Sequence, residues 1–255
     1  MQSIGIIPAR YNSTRFPGKP LHLIQGVSMI ERVYNRAKQA NLVSHLVVAT
    51  DDDRIFQHVQ QFGGEVIMSS TNHQSGTDRC REVLDIAENK FKKSFDVVVN
   101  IQGDEPLIDA DNINVLIETF SNPNIEIATL KRQIFDKNEL FSPNVVKVIT
   151  DIHHKAIYFS RNPLPFVANT TENEWLNQLD FFKHIGIYAY RADILRKISN
   201  LATSNLEKSE KLEQLRWIEN GFSIYAFVTN SDVFSVDVPE DIKKIESLII
   251  NNNIV

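Results

Sequence analysis

Three short stretches of this 255-residue chain hold side chains of the right types and spacing for chemistry on a polyanion. The first is IGIIPARYNSTRFPGKPL, residues 4–21, where Arg10, Arg15 and Lys19 supply cations and Ser13 and Thr14 supply hydroxyls. Gly18 lets the backbone come close to a ligand. A triphosphate needs this combination, because its charge must be neutralised and a departing pyrophosphate stabilised. The spacing is not GxxxxGK[ST], so this is no Walker A loop. A solvated charged turn would have the same composition. The second stretch is QGDEP, residues 102–106, whose Asp104 and Glu105 could hold Mg²⁺. An ordinary acidic proline turn reads the same way. The third is SVDVPED, residues 235–241. Its Asp237 could be a metal ligand or could cap the helix opened by Pro239. Together, two acids at separate strand ends and one basic loop make a plausible Mg²⁺–triphosphate site, a better signal than any one of them.

These groups sit at the ends of elements that the apolar pattern predicts. Ile4–Ile7 is a β-branched run without alternation, as expected of a strand covered on both faces. Met29, Ile30, Val33, Tyr34 and Ala37 recur at helical spacing. His45–Ala49 is a second buried strand, and Asp51–Asp53 can cap a helix that Gly63-Gly64 stops. Glu65–Met68 is a third strand, HQSGTDR (73–79) a polar loop, and a helix follows with Cys80, Val83, Leu84 and Ala87 inward. Phe95–Ile101 is the strongest strand and ends in QGDEP. This alternation predicts a mostly parallel sheet with helices on both faces, an α/β fold that binds ligands beyond the carboxyl ends of its strands. The second half is less regular. Ile125–Leu130, Val145–Ile149, Ala156–Ser160, His184–Tyr190 and Ser223–Val228 read as strands, and Leu206–Asn220 as one helix. Residues 161–180 suggest an exposed excursion. His184 and Tyr188 fall on one side of their strand, which would suit a polar ligand wall or a half-exposed strand equally. With no repeat and no linker, one domain over residues 1–255 is expected, with a flap inserted at about 150–190.

Composition narrows the partners. A net charge of −5 argues against a nucleic-acid binder, which is usually basic. The single cysteine, Cys80, excludes an intrachain disulfide or a multi-cysteine metal site. No stretch approaches the ~20 apolar residues of a membrane span. Arg10 breaks the first apolar run too early for a signal peptide, so the cytoplasm is the expected address.

IPARYNSTRFPGKPL resembles the opening of the 3-deoxy-manno-octulosonate (Kdo) cytidylyltransferases, the CMP-Kdo synthetases. The resemblance continues in order through ATDDDRI (49–55), HQSGTDR, VVNIQGDEP (98–106), NVVKV (144–148), AIYFSR (156–161), KHIGIYAYR (183–191), LEQLRWIENG (212–221) and VDVPED (236–241). It implies a Rossmann-like nucleotidyltransferase fold, with a projecting antiparallel segment used to form a homodimer. The implied reaction joins CTP and Kdo into CMP-Kdo and pyrophosphate, for lipopolysaccharide biosynthesis. Carried over residue by residue, Arg10, Ser13 and Lys19 would bind the CTP phosphates, and Gln74, Gly76 and Arg79 would line the cytosine pocket. Asp104 and Asp237 would hold Mg²⁺. Arg15 and Gln102 would reach toward the sugar. Arg161, His184, Tyr188, Glu213 and Gln214 would hold Kdo, whose carboxylate suits an arginine. Val238 stands where the family often has Thr, and Asn12 where a small residue is usual. Close relatives act on an 8-amino analogue of Kdo or on sialic acid. Glu105, where the 8-amino relatives tend to carry Gln, tilts the reading toward Kdo. A non-catalytic nucleotide-binding protein on the same fold would be expected to lack Lys19, Asp104 or Asp237, and all three are present.

Overall fold

The structure is a computed structural model that describes residues 1–12, 15–73 and 75–251. Its residues gather into two compact units: Met1–Glu118 with Asp232–Val255, and Thr119–Ser231.

The first unit opens with strand β1 (Ser3–Ala9), in which Ile4, Ile6 and Ile7 are wholly buried. A small hairpin, β2 (Leu23–Ile24) and β3 (Val27–Ser28), leads into helix α1 (Met29–Ala37). Ser28 caps α1 by accepting from the Glu31 amide. Its buried face is Met29, Ile30, Val33, Tyr34 and Ala37, as the spacing predicts. Strand β4 (His45–Thr50), helix α2 (Asp53–Gln61), strand β5 (Val66–Met68), helix α3 (Gly76–Phe91) and strand β6 (Val97–Asn100) follow. Asp52 caps α2, and Gly63 turns the chain away at φ +79°. The four larger strands are parallel in the order β6-β1-β4-β5. Their near-continuous burial is what helices on both faces require. Helix α4 (Ala110–Thr119), absent from the sequence reading, buries Ile113, Leu116 and Ile117.

The second unit comprises strand β7 (Ile127–Ile134), helix α5 (Lys137–Phe141), strands β8 (Lys147–Thr150) and β9 (Ala156–Ser160), helix α6 (Trp175–Gln178), strand β10 (Phe181–Arg191), helices α7 (Ala192–Ile198), α8 (Asn205–Glu210) and α9 (Gln214–Glu219), and strand β11 (Ile224–Val228). The order is β11-β7-β10-β8-β9, antiparallel except for β11 on β7. β8 and β9, both read as strands from the sequence, pair antiparallel. The single helix expected over Leu206–Asn220 is two helices. Lys211 adopts a left-handed conformation (φ 55°) and turns the chain so that Leu212 and Gln214 are buried. The 161–180 excursion is pinned by Trp175, which is buried with Ile134, Leu140 and Phe181 and stacks on Phe181.

Helix α10 (Asp241–Asn251) returns to the first unit and packs Ile242, Ile245 and Ile249 against Phe16, Ile24, Met29 and Leu107. It starts at Asp241, not at Pro239. The Asp241 carboxylate accepts from the amides of Asp237 and Val238, so Asp241 and not Asp237 organises this turn. Among the described residues, no helix is long and apolar enough to cross a membrane.

Candidate active site

In the first unit, three of the four parallel strands deliver polar residues just past their carboxyl ends: Arg10 after β1, Asp51 after β4 and QGDEP after β6. The loop after β1 turns back on itself where Gly18 (φ 72°) donates its amide to the Tyr11 carbonyl at 2.8 Å. Buried Phe16 anchors the same loop in the core. Lys19 then projects between two acid-bearing segments. Its ammonium lies 2.7 Å from Asp104 Oδ2 and 2.8 Å from the Val236 carbonyl. The Val236 amide donates to the Asp104 carbonyl at 2.9 Å, so QGDEP and SVDVPED are joined directly. Arg15 reaches Asp237 Oδ1 at 2.8 Å in an exposed ion pair. Residues 222 positions apart in the chain thus meet at one place. Ser13 and Thr14 lie outside the described residues.

Both candidate metal ligands therefore face cations. Carboxylates on two hydrogen-bonded segments form a hard-oxygen pair that suits Mg²⁺, which takes one or two carboxylates and completes its shell with phosphate oxygens and water. Among the described residues, no group of three or more His, Cys, Asp or Glu could cage a metal from protein alone. Glu105 is not part of this pair. It is buried, and desolvation, with the negative charge of Asp104 behind it, pushes its carboxyl up to about 8.

The polar stretch 73–79 is only partly a loop. Ser75 and Asp78 form a capping box, and Gly76–Arg79 are the first turn of α3. A Cβ at Gly76 would lie 3.6 Å from Asn100 and 3.7 Å from Pro8, so this helix end abuts the ends of β6 and β1. Arg10 contacts the His73 carbonyl at 3.4 Å. Arg79 is fully buried, bonded to Asp51 at 2.7 Å and to Ser69 at 2.5 Å, so it braces this region from beneath. Gln74 lies outside the described residues. Gln102 is half-buried in the turn after β6.

The second unit gathers the other predicted residues around β9, β10 and α9. Arg161 donates to the carbonyls of Glu210 (2.7 Å) and Pro143 (2.9 Å). The Glu210 carboxylate accepts from Ser160 Oγ and from the Arg161 amide. His184 Nε2 lies 3.0 Å from Thr129 Oγ1, and the His184 and Tyr188 rings are 5.2 Å apart, on one side of β10 as the sequence suggests. Tyr188 packs edge-on against Trp217. Burial, then the charge of Glu213, push its phenol well above the usual range, so it stays protonated. Glu213 pairs with Arg216 at 2.5 Å, and Gln214 is buried at the start of α9.

The profile of the cytidylyltransferase family matches residues 4–248. A 3-deoxy-manno-octulosonate cytidylyltransferase of Cytophaga hutchinsonii is 46% identical over 243 residues, covering 95% of each chain. One from Fusobacterium nucleatum is 46% identical over 255 residues, covering 100% of this chain and 99% of its own. The chain belongs to the 3-deoxy-manno-octulosonate cytidylyltransferase family. Its fold agrees: a solved CMP:2-keto-3-deoxy-manno-octonic acid synthetase in complex with CTP superimposes with a TM-score of 0.90 at 39% identity, over 99% of this chain and 100% of that one. A glucose-1-phosphate thymidylyltransferase of Bacillus anthracis, 17% identical with a TM-score of 0.62 over 96% of this chain and 94% of its own, shares the fold alone.

In this member of the cytidylyltransferase family, three residues near the predicted groups escaped the sequence reading. Asn100, at the end of β6, keeps a buried Oδ1 without a partner among the described residues. Lys147 is fully buried, and its ammonium donates to the carbonyls of Ser142, Val145 and Arg161. Thr129 is buried against His184. A lysine at an inward strand position of NVVKV was the one available signal; Asn100 and Thr129 gave none.

Proposed function

We propose that this chain transfers CMP from CTP to 3-deoxy-D-manno-octulosonate and releases pyrophosphate. The observation that carries the reading is the meeting of Lys19, Asp104 and the Val236–Asp237 segment in a chain of this family. Arg10, Ser13 and Lys19 take the phosphates of CTP, and Lys19 and Arg10 offset the charge that grows on the departing pyrophosphate. Gln74, Gly76 and Arg79 shape the place of the cytosine, Arg79 by bracing it. Asp104 and Asp237 would hold Mg²⁺, which would lower the pKa of the attacking hydroxyl. Lys19 and Arg15 then exchange these carboxylates for phosphate oxygens. The anomeric 2-hydroxyl of the sugar attacks the α-phosphorus in line with the leaving pyrophosphate and gives up its proton to water. No protein general base is required.

The sugar is taken by Arg15, Gln102, Arg161, His184, Tyr188, Glu213 and Gln214. An arginine suits its carboxylate. We also assign a homodimer to the 150–190 segment. Ile152, Ile157 and Phe166 are 90%, 57% and 76% exposed there, apolar side chains that a second copy would cover.

A pyrophosphate-release assay with CTP, Mg²⁺ and a panel of acidic sugars tests the reading. Release with Kdo, and CMP-Kdo as the product, is the expected result. No release with any sugar would leave a nucleotide-binding protein.

A further inference from the structure

We propose that Thr129 is a positioning residue that fixes the tautomer of His184, leaving the ring nitrogen Nδ1 as a hydrogen-bond acceptor for a hydroxyl of the sugar. The inference deepens the reading that His184 meets the sugar, and rests on it.

The argument is a count of protons. Thr129 is wholly buried on β7. Its Oγ1 lies 2.8 Å from the Ile187 carbonyl, 3.0 Å from the Ile185 carbonyl and 3.0 Å from His184 Nε2. The two carbonyls can only accept, and the hydroxyl has one hydrogen to give; the Tyr188 phenol, which also bonds this hydroxyl and stays protonated, can donate to it and takes nothing from the count. If Nε2 were bare, three acceptors would crowd one proton, at least one of them desolvated and unpaired. With the proton on Nε2, the ring donates to a lone pair of Oγ1 and the hydroxyl donates to a carbonyl.

The backbone explains why both carbonyls are within reach. Between Ile185 and Tyr188 the register of β10 on β7 breaks: Ile185 faces Leu130 and Tyr188 faces Thr129, so Gly186 and Ile187 face no residue of β7. This bulge turns the carbonyls of Ile185 and Ile187 toward the Thr129 side chain. The His184 ring is also held edge-on by Phe159. Desolvation lowers its pKa to about 3, so the ring is neutral and has one acceptor to offer. Nδ1 has no partner among the described residues. A neutral ring with a bare Nδ1 recognises a hydroxyl that donates. It gives no such bond to an ether or a methoxy group at that place.

The test uses the full-length protein without substrate and then with it. Long-range ¹⁵N–¹H NMR of the histidine rings, with His184 assigned by its loss in His184→Gln, should show the Nε2–H tautomer in the unmodified chain. In Thr129→Val, which keeps the shape and removes the hydroxyl, His184 should shift to a mixture of tautomers. The KM for Kdo should rise about tenfold, the worth of one lost hydrogen bond, while the KM for CTP holds. Thr129→Ser should restore both readouts. An Nδ1–H tautomer in the unmodified chain overturns the proposal, as does an unchanged tautomer in Thr129→Val. If the NMR result holds but His184→Gln leaves the KM for Kdo unchanged, His184 does not meet the sugar. The reading beneath the proposal has then failed, and the two failures are told apart.

Discussion

Lys19 and Asp104 form a part-buried ion pair at 2.7 Å, and the same ammonium is shared with the Val236 carbonyl. One cation thus ties the loop after β1 to both acid-bearing segments. Asp104→Asn keeps a hydrogen-bond acceptor for Lys19 while removing the charge. We expect kcat to fall by about 100-fold or more, the scale seen when one electrostatic stabiliser is removed. The thermal melt should stay close to that of the unmodified chain. Steady-state pyrophosphate release and circular dichroism check the pair of outcomes. Near-normal product formation would sink the assignment of Asp104.

Gly103 makes that geometry possible. A Cβ there would stand 2.5 Å from the Pro8 carbonyl oxygen, a backbone atom at the end of β1. The turn cannot lie flush on β1 with any larger residue. Gly103→Ala should therefore push Asp104 away from Lys19 and reduce kcat/KM by about tenfold or more, with a stability loss of about 1–3 kcal/mol. Kinetics alongside urea denaturation give both numbers. Unchanged kinetics would mean that the close approach does not position Asp104.

Lys147 carries a structural load in the second unit. Its buried ammonium is satisfied by three carbonyls, one of them from Arg161. Lys147→Met keeps the stem and leaves those carbonyls unpaired. Each lost partner costs about 1–3 kcal/mol, offset in part by no longer burying a charge. A net loss above about 2 kcal/mol in urea denaturation is expected. A neutral or stabilised variant would show that the loop re-forms its bonds without the lysine.

His184 gives a pH dependence with a definite sign. Its folded pKa is lowered to about 3 by desolvation, against about 6.5 in an unfolded chain. Between those values the unfolded chain holds a proton that the folded chain does not. Stability is therefore fully present above pH 6.5 and declines as the pH falls toward 3. Urea midpoints measured from pH 7 to 4 should fall less steeply in His184→Gln than in the unmodified chain. Equal slopes would show that the ring is solvated enough to charge in place. For the same reason, the KM for Kdo should show no inflection from His184 near neutrality.

Elements with strong periodicity were legible without coordinates. β1, α1, β4, α3 and β6 follow from apolar spacing, and α2 from the cap offered by Asp51–Asp53. Local patterns failed where backbone geometry overrode them. The helical stripe over Leu206–Asn220 continues across Lys211, yet the chain turns left-handed there to bury Leu212 and Gln214. α4 passed unread because the stretch after QGDEP begins with buried turn residues, Leu107 and Ile108.

By itself, the sequence determined the family, the alternation of strand and helix from β1 to β6, and the kinds of side chain available for a phosphate and a sugar, because these depend on residue types and local spacing. Only the tertiary structure decided which side chains point where. In DEP, Asp104 meets Lys19 while Glu105 turns into the core; in VDVPED, Asp241 takes the capping role and leaves the Asp237 carboxylate to Arg15. Neighbouring acids in a turn diverge according to what packs above and below them. Contacts such as Arg15–Asp237 and Thr129–His184 exist only once distant segments are brought together.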